Sequence, residues 1–207
     1  MRADARSRAI AVFAKAPVVG AVKTRLIPRL GAAGAARLHE QLVDRALMAA
    51  CGVPDATVTL WIAGDTEWRP AAAASHAVPR RSQSGADLGA RMLHAITQSL
   101  EEAAEAVVIG ADCPALTSAH IAAAFSQLRS HDAVVVPATD GGYVLIGARA
   151  PHRRLFEDIA WGTPEVMPAT RARCAELRLR LAEMSALDDL DTPDDLQRAL
   201  DAGVVRL

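Results

Sequence analysis

Apolar positions along the chain fall into short unbroken runs, separated by stretches in which they recur every three or four residues. The runs at 9–14, 57–62, 106–110 and 133–137 read as strands, and the first and third contain no polar side chain. A short third strand is expected to include 76–79, and another strand to cover 142–146. Between these runs the helical period predicts helices over about 32–50, 87–103 and 117–129, with a short one within 67–75. Two further helix starts share one signature. Thr163-Pro164-Glu165 and Thr192-Pro193-Asp194-Asp195 each put Thr at the N-cap, Pro at the first helical position and acids in the first turn.

Strands that are apolar throughout are buried on both faces. Their alternation with helices predicts an α/β fold with a mostly parallel central sheet covered on both sides, one domain spanning 1–207. In such sheets ligands bind outside the carboxyl ends of the strands, so the residues that follow each apolar run carry the chemistry.

Composition narrows the classes of function. Apolar residues make up 51% of the 207 and charged residues 23%, as in an ordinary globular chain, while a net charge of −1 excludes a broad electrostatic grip on nucleic acid or an anionic membrane. Cys51, Cys113 and Cys174 form no C-x-x-C pair, which points away from a disulfide framework or zinc site and toward a reducing compartment. No stretch approaches the roughly 18 apolar residues of a membrane span, and Asp4 and Lys15 argue against a signal peptide, so a soluble cytoplasmic protein is expected. Of 23 basic residues only Lys15 and Lys23 are lysine, and both lie in one short segment. A compact ammonium is not interchangeable with a guanidinium where phosphate is held as a point charge.

That segment, Lys15-Ala16-Pro17-Val18-Val19-Gly20-Ala21-Val22-Lys23-Thr24-Arg25-Leu26, follows the first strand. A turn opened by Pro17 and Gly20 can aim backbone N–H groups at an anion while Lys15, Lys23 and Arg25 supply charge, although neither G-x-x-x-x-G-K-[ST] nor G-x-G-x-x-G is present. After the strand at 106–110 comes Asp112, placed for a Mg²⁺ ligand or for closing a local turn; Thr117 and Ser118 are better placed to cap the next helix, which favours the metal. Asp140-Gly141-Gly142-Tyr143 reads equally well as a hairpin turn or as a close-approach loop with a stacking ring. Asp188, Asp189 and Asp191 exceed what capping the Thr192 helix requires, and crowded carboxylates repel unless they share a cation. Gln83, Gly85 and Asp87 form a Gly-bearing entry to a helix that suits a base or ribose contact or an ordinary N-cap. Trp161 is explained as well by a hydrophobic staple as by a substrate contact.

Together these segments resemble the bacterial DUF2064 transferases, also called radical-SAM/selenodomain-associated transferases, some of them linked to arsenosugar biosynthesis. The likeness runs in order through FAKAPVVGAVKTRL (13–26), QSGADLGARM (83–92), GADCP (110–114), PATDGGYVLIG (137–147), WGTPEV (161–166) and DLDTPDDL (189–196). The resemblance implies a GT-A fold, that of nucleotide-diphospho-sugar transferases, with a more distant similarity to guanylyltransferases acting on 2-phospholactate or the molybdenum cofactor. It implies a nucleotide-sugar or NTP and a small-molecule acceptor as partners, with Lys15, Gly20, Lys23 and Arg25 on the phosphates. Gln83, Gly85 and Asp87 would approach the nucleotide, and Asp112 with Asp189 or Asp191 would hold Mg²⁺ or Mn²⁺. Gly141, Gly142, Tyr143 and Trp161 would face the acceptor, with Asp140 the one base to nominate and Lys23 assisting the leaving diphosphate. Two departures stand out: Asp112 is followed by Cys113-Pro114 rather than completing a D-x-D, and Gly162 stands where a Ser is expected.

Overall fold

The computed structural model describes residues 7–205. Among these described residues seven strands, β1 (Arg8–Lys15), β2 (Ala56–Ala63), β3 (Arg80–Ser82), β4 (Glu105–Gly110), β5 (Ala133–Pro137), β6 (Tyr143–Ala148) and β7 (Leu181–Glu183), form one sheet in the order β3-β2-β1-β4-β6-β5-β7. The helices are α1 (Ile27–Cys51), α2 (Ala71–Ser75), α3 (Leu88–Leu100), α4 (Ser118–Leu128), α5 (Val166–Glu176) and α6 (Pro193–Asp201). β1 pairs in parallel with β2 and β4, β2 with β3, and β5 with β7, whereas β6 is antiparallel to both β4 and β5. The reversal of β6 brings its first residue, Tyr143, to the edge of the sheet where the neighbouring strands end.

The alternation of side chains along β1 builds two cores. Ile10 and Val12 face Val43 and Leu47 of α1 and the α4 layer of Ile121 and Phe125, while Ala11 and Phe13 face Met92 and Ile96 of α3 and the α5 layer of Met167 and Cys174. A third cluster, Leu26, Leu38, Leu42, Leu190, Leu196 and Ala199, ties α6 and the segment before it onto α1. This last contact anchors the acidic C-terminal segment beside the first loop.

Several expected boundaries move, each for a local reason. α1 starts at Ile27 rather than near 32, because a turn of helix precedes a break at Gly31, whose φ of 68° and ψ of 162° only glycine adopts readily. The third strand is Arg80–Ser82; residues 76–78 are instead spent closing α2, with His76 N–H donating to Ala72 O and Val78 N–H to Ala73 O. Thr163 does not cap a helix. Its hydroxyl donates to Ala160 O and accepts from Glu165 N–H, closing a turn three residues before α5 begins. Thr192 does form the expected capping box with Asp195, with Pro193 at the first helical position. The strand β7 is absent from the periodicity reading, since three residues with only Ala182 buried are too short a signal.

Candidate active site

The site forms where the loop after β1, the end of β4 and the segment before α6 converge at the carboxyl edge of the sheet. In the first loop, Val18 N–H donates to Ala16 O and Ala21 N–H to Val18 O, and Gly20 turns the chain at φ 85°. Lys23 then adopts φ 46°, left-handed backbone that costs a non-glycine residue about 1 kcal/mol or more. That geometry starts a short 3₁₀ turn at Thr24–Leu26, and Leu26 is fully buried. The C-terminal segment reaches the site by backbone pairing: Leu187 N–H donates to Pro137 O at the end of β5, and Leu190 N–H to Asp112 O at the end of β4, both at 2.9 Å. Asp195 of the α6 cap accepts from Asp191 N–H at 3.0 Å and from Thr192 N–H at 2.7 Å, which fixes the backbone that carries Asp191.

The loops meet on one ammonium. Lys23 Nζ lies 2.5 Å from Asp112 Oδ1 and 2.8 Å from Asp191 Oδ1, and it donates to Leu190 O at 2.6 Å. Its side chain is 3% exposed while those of Asp112 and Asp191 are nearly half exposed, so the cation is enclosed and the acids are open to a ligand. Burial works to lower the Lys23 pKa, but attraction by Asp112 and Asp191 outweighs it and holds the group above its ordinary value. Asp189 sits within the same field. Its burial, followed by repulsion from Asp112, Asp140 and Asp191, pushes its carboxyl up to about 7, with Lys23 only partly opposing. Asp188 is turned aside and accepts from the Thr139 hydroxyl at 2.7 Å.

Asp112, Asp140 and Asp191 all act on Asp189 against a single opposing ammonium, and these four carboxylates form a hard-oxygen donor set that favours added positive charge, as a divalent ion supplies. Among the described residues, no three His, Cys, Asp or Glu side chains are spaced to hold a metal ion. Lys23 is the cation that bridges Asp112 and Asp191. The residues therefore suit a divalent ion in their chemistry, provided Lys23 yields the two carboxylates. Cys113, beside Asp112, is buried and its thiol is pushed up to about 11, first by burial and then by Asp189, which keeps it protonated at neutral pH.

The other expected site residues are placed as follows. Lys15 ends β1 and is exposed, its carbonyl bonded to the buried His39 Nε2 at 2.9 Å; Arg25 is also exposed on the loop. Among the described residues Lys23 is the one basic group of the three that is ion-paired with the acids. Gln83 donates its amide to Ala14 O at 3.2 Å and Trp61 O at 3.0 Å, straddling the ends of β1 and β2. Asp87 caps α3, accepting from Ala90 N–H at 2.7 Å, and Gly85 packs so closely on Ala90 and Arg91 that a Cβ would meet them within 3 Å. These three residues hold the entry to α3.

On the other side, Asp140-Gly141-Gly142 is both of the things it resembled. It is the β5–β6 hairpin turn, with Gly142 N–H donating to Asp140 Oδ1 at 2.9 Å. It is also a close approach, since at Gly141 (φ 95°) a Cβ would lie 2.5 Å from Pro164. Tyr143 and Trp161 meet edge to face at 6.2 Å, and burial pushes the Tyr143 phenol well above its ordinary pKa. Between this pair and α3 lies a cavity of about 200 Å³, with Asp140 and Asp189 among its lining residues. Its walls include Phe13, Leu88, Met92 and Val108, which the sequence reading missed because buried apolar residues on strands and helices look alike whether they face a core or a cavity. Leu88, directly after the α3 cap, is 43% exposed at the cavity rim.

Comparison with known proteins places this fold. The family model described as "Uncharacterized protein conserved in bacteria (DUF2064)" matches residues 46–163, more than half of the chain. A provisionally assigned nucleotide-diphospho-sugar transferase from Desulfovibrio desulfuricans G20 is 31% identical with a TM-score of 0.85, covering 93% of this chain and 85% of its own. A nucleotidyl transferase from Methanothermobacter thermautotrophicus is 13% identical with a TM-score of 0.66, covering 95% of this chain and 97% of its own. Glucosyl-3-phosphoglycerate synthase from Mycobacterium tuberculosis, solved with Mn²⁺, UDP and glucosyl-3-phosphoglycerate, is 11% identical with a TM-score of 0.58, covering 97% of this chain and 77% of its own. No curated protein sequence matches the chain. The fold is thus the GT-A and nucleotidyltransferase architecture. Among the described residues no helix is long and apolar enough to cross a membrane.

Proposed function

The chain belongs to the DUF2064 family, and from that premise we propose that it is a divalent-cation-dependent transferase, a single domain over 1–207, that takes a nucleotide-diphospho-sugar as donor and passes the sugar to a small molecule. The observation that carries this reading is the meeting of Lys23 with Asp112 and Asp191 at the carboxyl edge of the sheet. In the donor complex Lys23, Lys15, Arg25 and the Gly20 turn bind the diphosphate, and the Gln83–Asp87 entry to α3 borders the nucleotide. Asp112, Asp189 and Asp191 would hold Mg²⁺ or Mn²⁺, which would supply charge to offset that developing on the departing diphosphate. Lys23 reaches the phosphates by exchanging its carboxylate partners for phosphate oxygens. Asp140 accepts the acceptor's proton, and Gly141, Gly142, Tyr143 and Trp161 border the acceptor. The three free cysteines are in keeping with the cytoplasm.

A second reading keeps the site and changes the bond: nucleotidyl transfer from an NTP to a small acid, with release of pyrophosphate. Asp112-Cys113-Pro114 in place of a D-x-D favours it. One assay separates the two. The protein is incubated with Mg²⁺ and either nucleotide sugars or NTPs; release of a nucleoside diphosphate supports glycosyl transfer, and pyrophosphate replaces it with the second reading. Turnover that is unchanged in Asp112→Asn defeats both.

A further inference from the structure

Helix α1 reaches all three segments that meet at the site. His39, buried in its middle, bonds through Nε2 to Lys15 O at 2.9 Å, and since a carbonyl only accepts, Nε2 carries the proton. Further along the helix, by about 9 Å, Arg45 Nε donates to Pro114 O at 2.6 Å. Leu38 and Leu42, on the same turns, pack in the cluster that holds Leu190 of the third segment. The β1–β4 ladder stops at Phe13 and Gly110, so Lys15 and Pro114 lie beyond its last rung and the sheet alone does not set the distance between them. Lys15 leads into the loop that carries Lys23, and Pro114 follows Asp112 by two residues. One such bond satisfies a stray carbonyl. Two from one helix, to the loops on opposite sides of the Lys23–Asp112 ion pair, fix one loop against the other.

We propose that His39 and Arg45 are positioning residues. Through Lys15 O and Pro114 O they hold the Lys23 loop and the Asp112 turn at the spacing at which one diphosphate and its divalent ion reach both. Without either bond one loop drifts, and the ordering that α1 now supplies in the free chain falls on ligand binding instead. The proposal rests on the transferase reading for the diphosphate alone; the brace belongs to the free chain.

The test begins without ligand. In the full chain labelled with ¹⁵N-lysine only the backbone amides of Lys15 and Lys23 appear, and Lys15→Arg assigns them. His39→Leu and Arg45→Met should each shift the Lys23 amide, although neither bond touches that residue. His39→Gln, which keeps an N–H at similar reach, should leave it in place. Magnesium pyrophosphate, titrated by calorimetry, should bind His39→Leu and Arg45→Met about tenfold more weakly than the parent, and His39→Gln within about twofold of it. A merely structural role lowers the melting temperature and leaves the Lys23 amide and the affinity unmoved; that result in either variant overturns the proposal for its residue. Arg45 is exposed, so Arg45→Met keeps the test open should His39→Leu not fold. A shifted Lys23 amide with no pyrophosphate binding by the parent refutes the transferase reading alone. An unmoved one beside intact binding refutes the positioning role alone.

Discussion

Replacing Lys23 by Met keeps the length of the side chain and removes the charge that three loops share. The ammonium is enclosed, but Asp112 and Asp191 are nearly half exposed, so each ion pair contributes about 1 kcal/mol or less. The hydrogen bond to Leu190 O adds about 1 kcal/mol. A loss of about 2–3 kcal/mol follows, which for a chain of this length lowers Tm by about 5–10 °C. The same substitution leaves Asp112, Asp189 and Asp191 without their tethered cation. A divalent ion then no longer competes with an ammonium worth about 1–2 kcal/mol, and Mn²⁺ should bind the free Met variant about tenfold tighter than the parent. Thermal melts with and without Mn²⁺, together with Mn²⁺ titration followed by electron paramagnetic resonance, read both effects. Mn²⁺ should also return part of the lost stability to the variant. A Met variant that melts with the parent, or that binds Mn²⁺ more weakly, refutes the argument that Lys23 holds the cation position.

Three further outcomes are expected. Asp189, raised from 3.8 to about 7, favours folding while protonated; that contribution is complete below about pH 4 and is lost as pH rises toward 7. The rise is worth up to about 4 kcal/mol, and solvent around the half-buried carboxyl reduces this to about 1–2 kcal/mol, so Asp189→Asn should gain that much over the parent at pH 8 and nothing at pH 4 in urea unfolding. Gly141→Ala forces a Cβ into Pro164 at positive φ and should cost about 2–3 kcal/mol in denaturant unfolding, while raising KM for the acceptor more than for the donor. Thr192→Ala breaks the capping box that fixes Asp191; about 1 kcal/mol of stability should be lost, with weaker Mn²⁺ binding as the accompanying readout.

The sequence determined the framework because its signals are local. The fully apolar runs could only be strands covered on both faces, and the helices between them dictated a mostly parallel sheet with its chemistry at the strand ends. Thr192-Pro193 named a helix start that α6 obeys. Local signals also misled, as at Thr163, where the same Thr-Pro pair closes a turn. What the tertiary structure decided was which distant residues share space. That Lys23 lies against Asp112 and Asp191 depends on Leu190 pairing with the end of β4 and on α6 packing against α1. That Tyr143 joins the strand-end residues depends on the reversal of β6. The cavity was invisible for a further reason: Phe13, Met92 and Val108 have the burial pattern of a core, and only the space left between packed elements turns a core face into a wall.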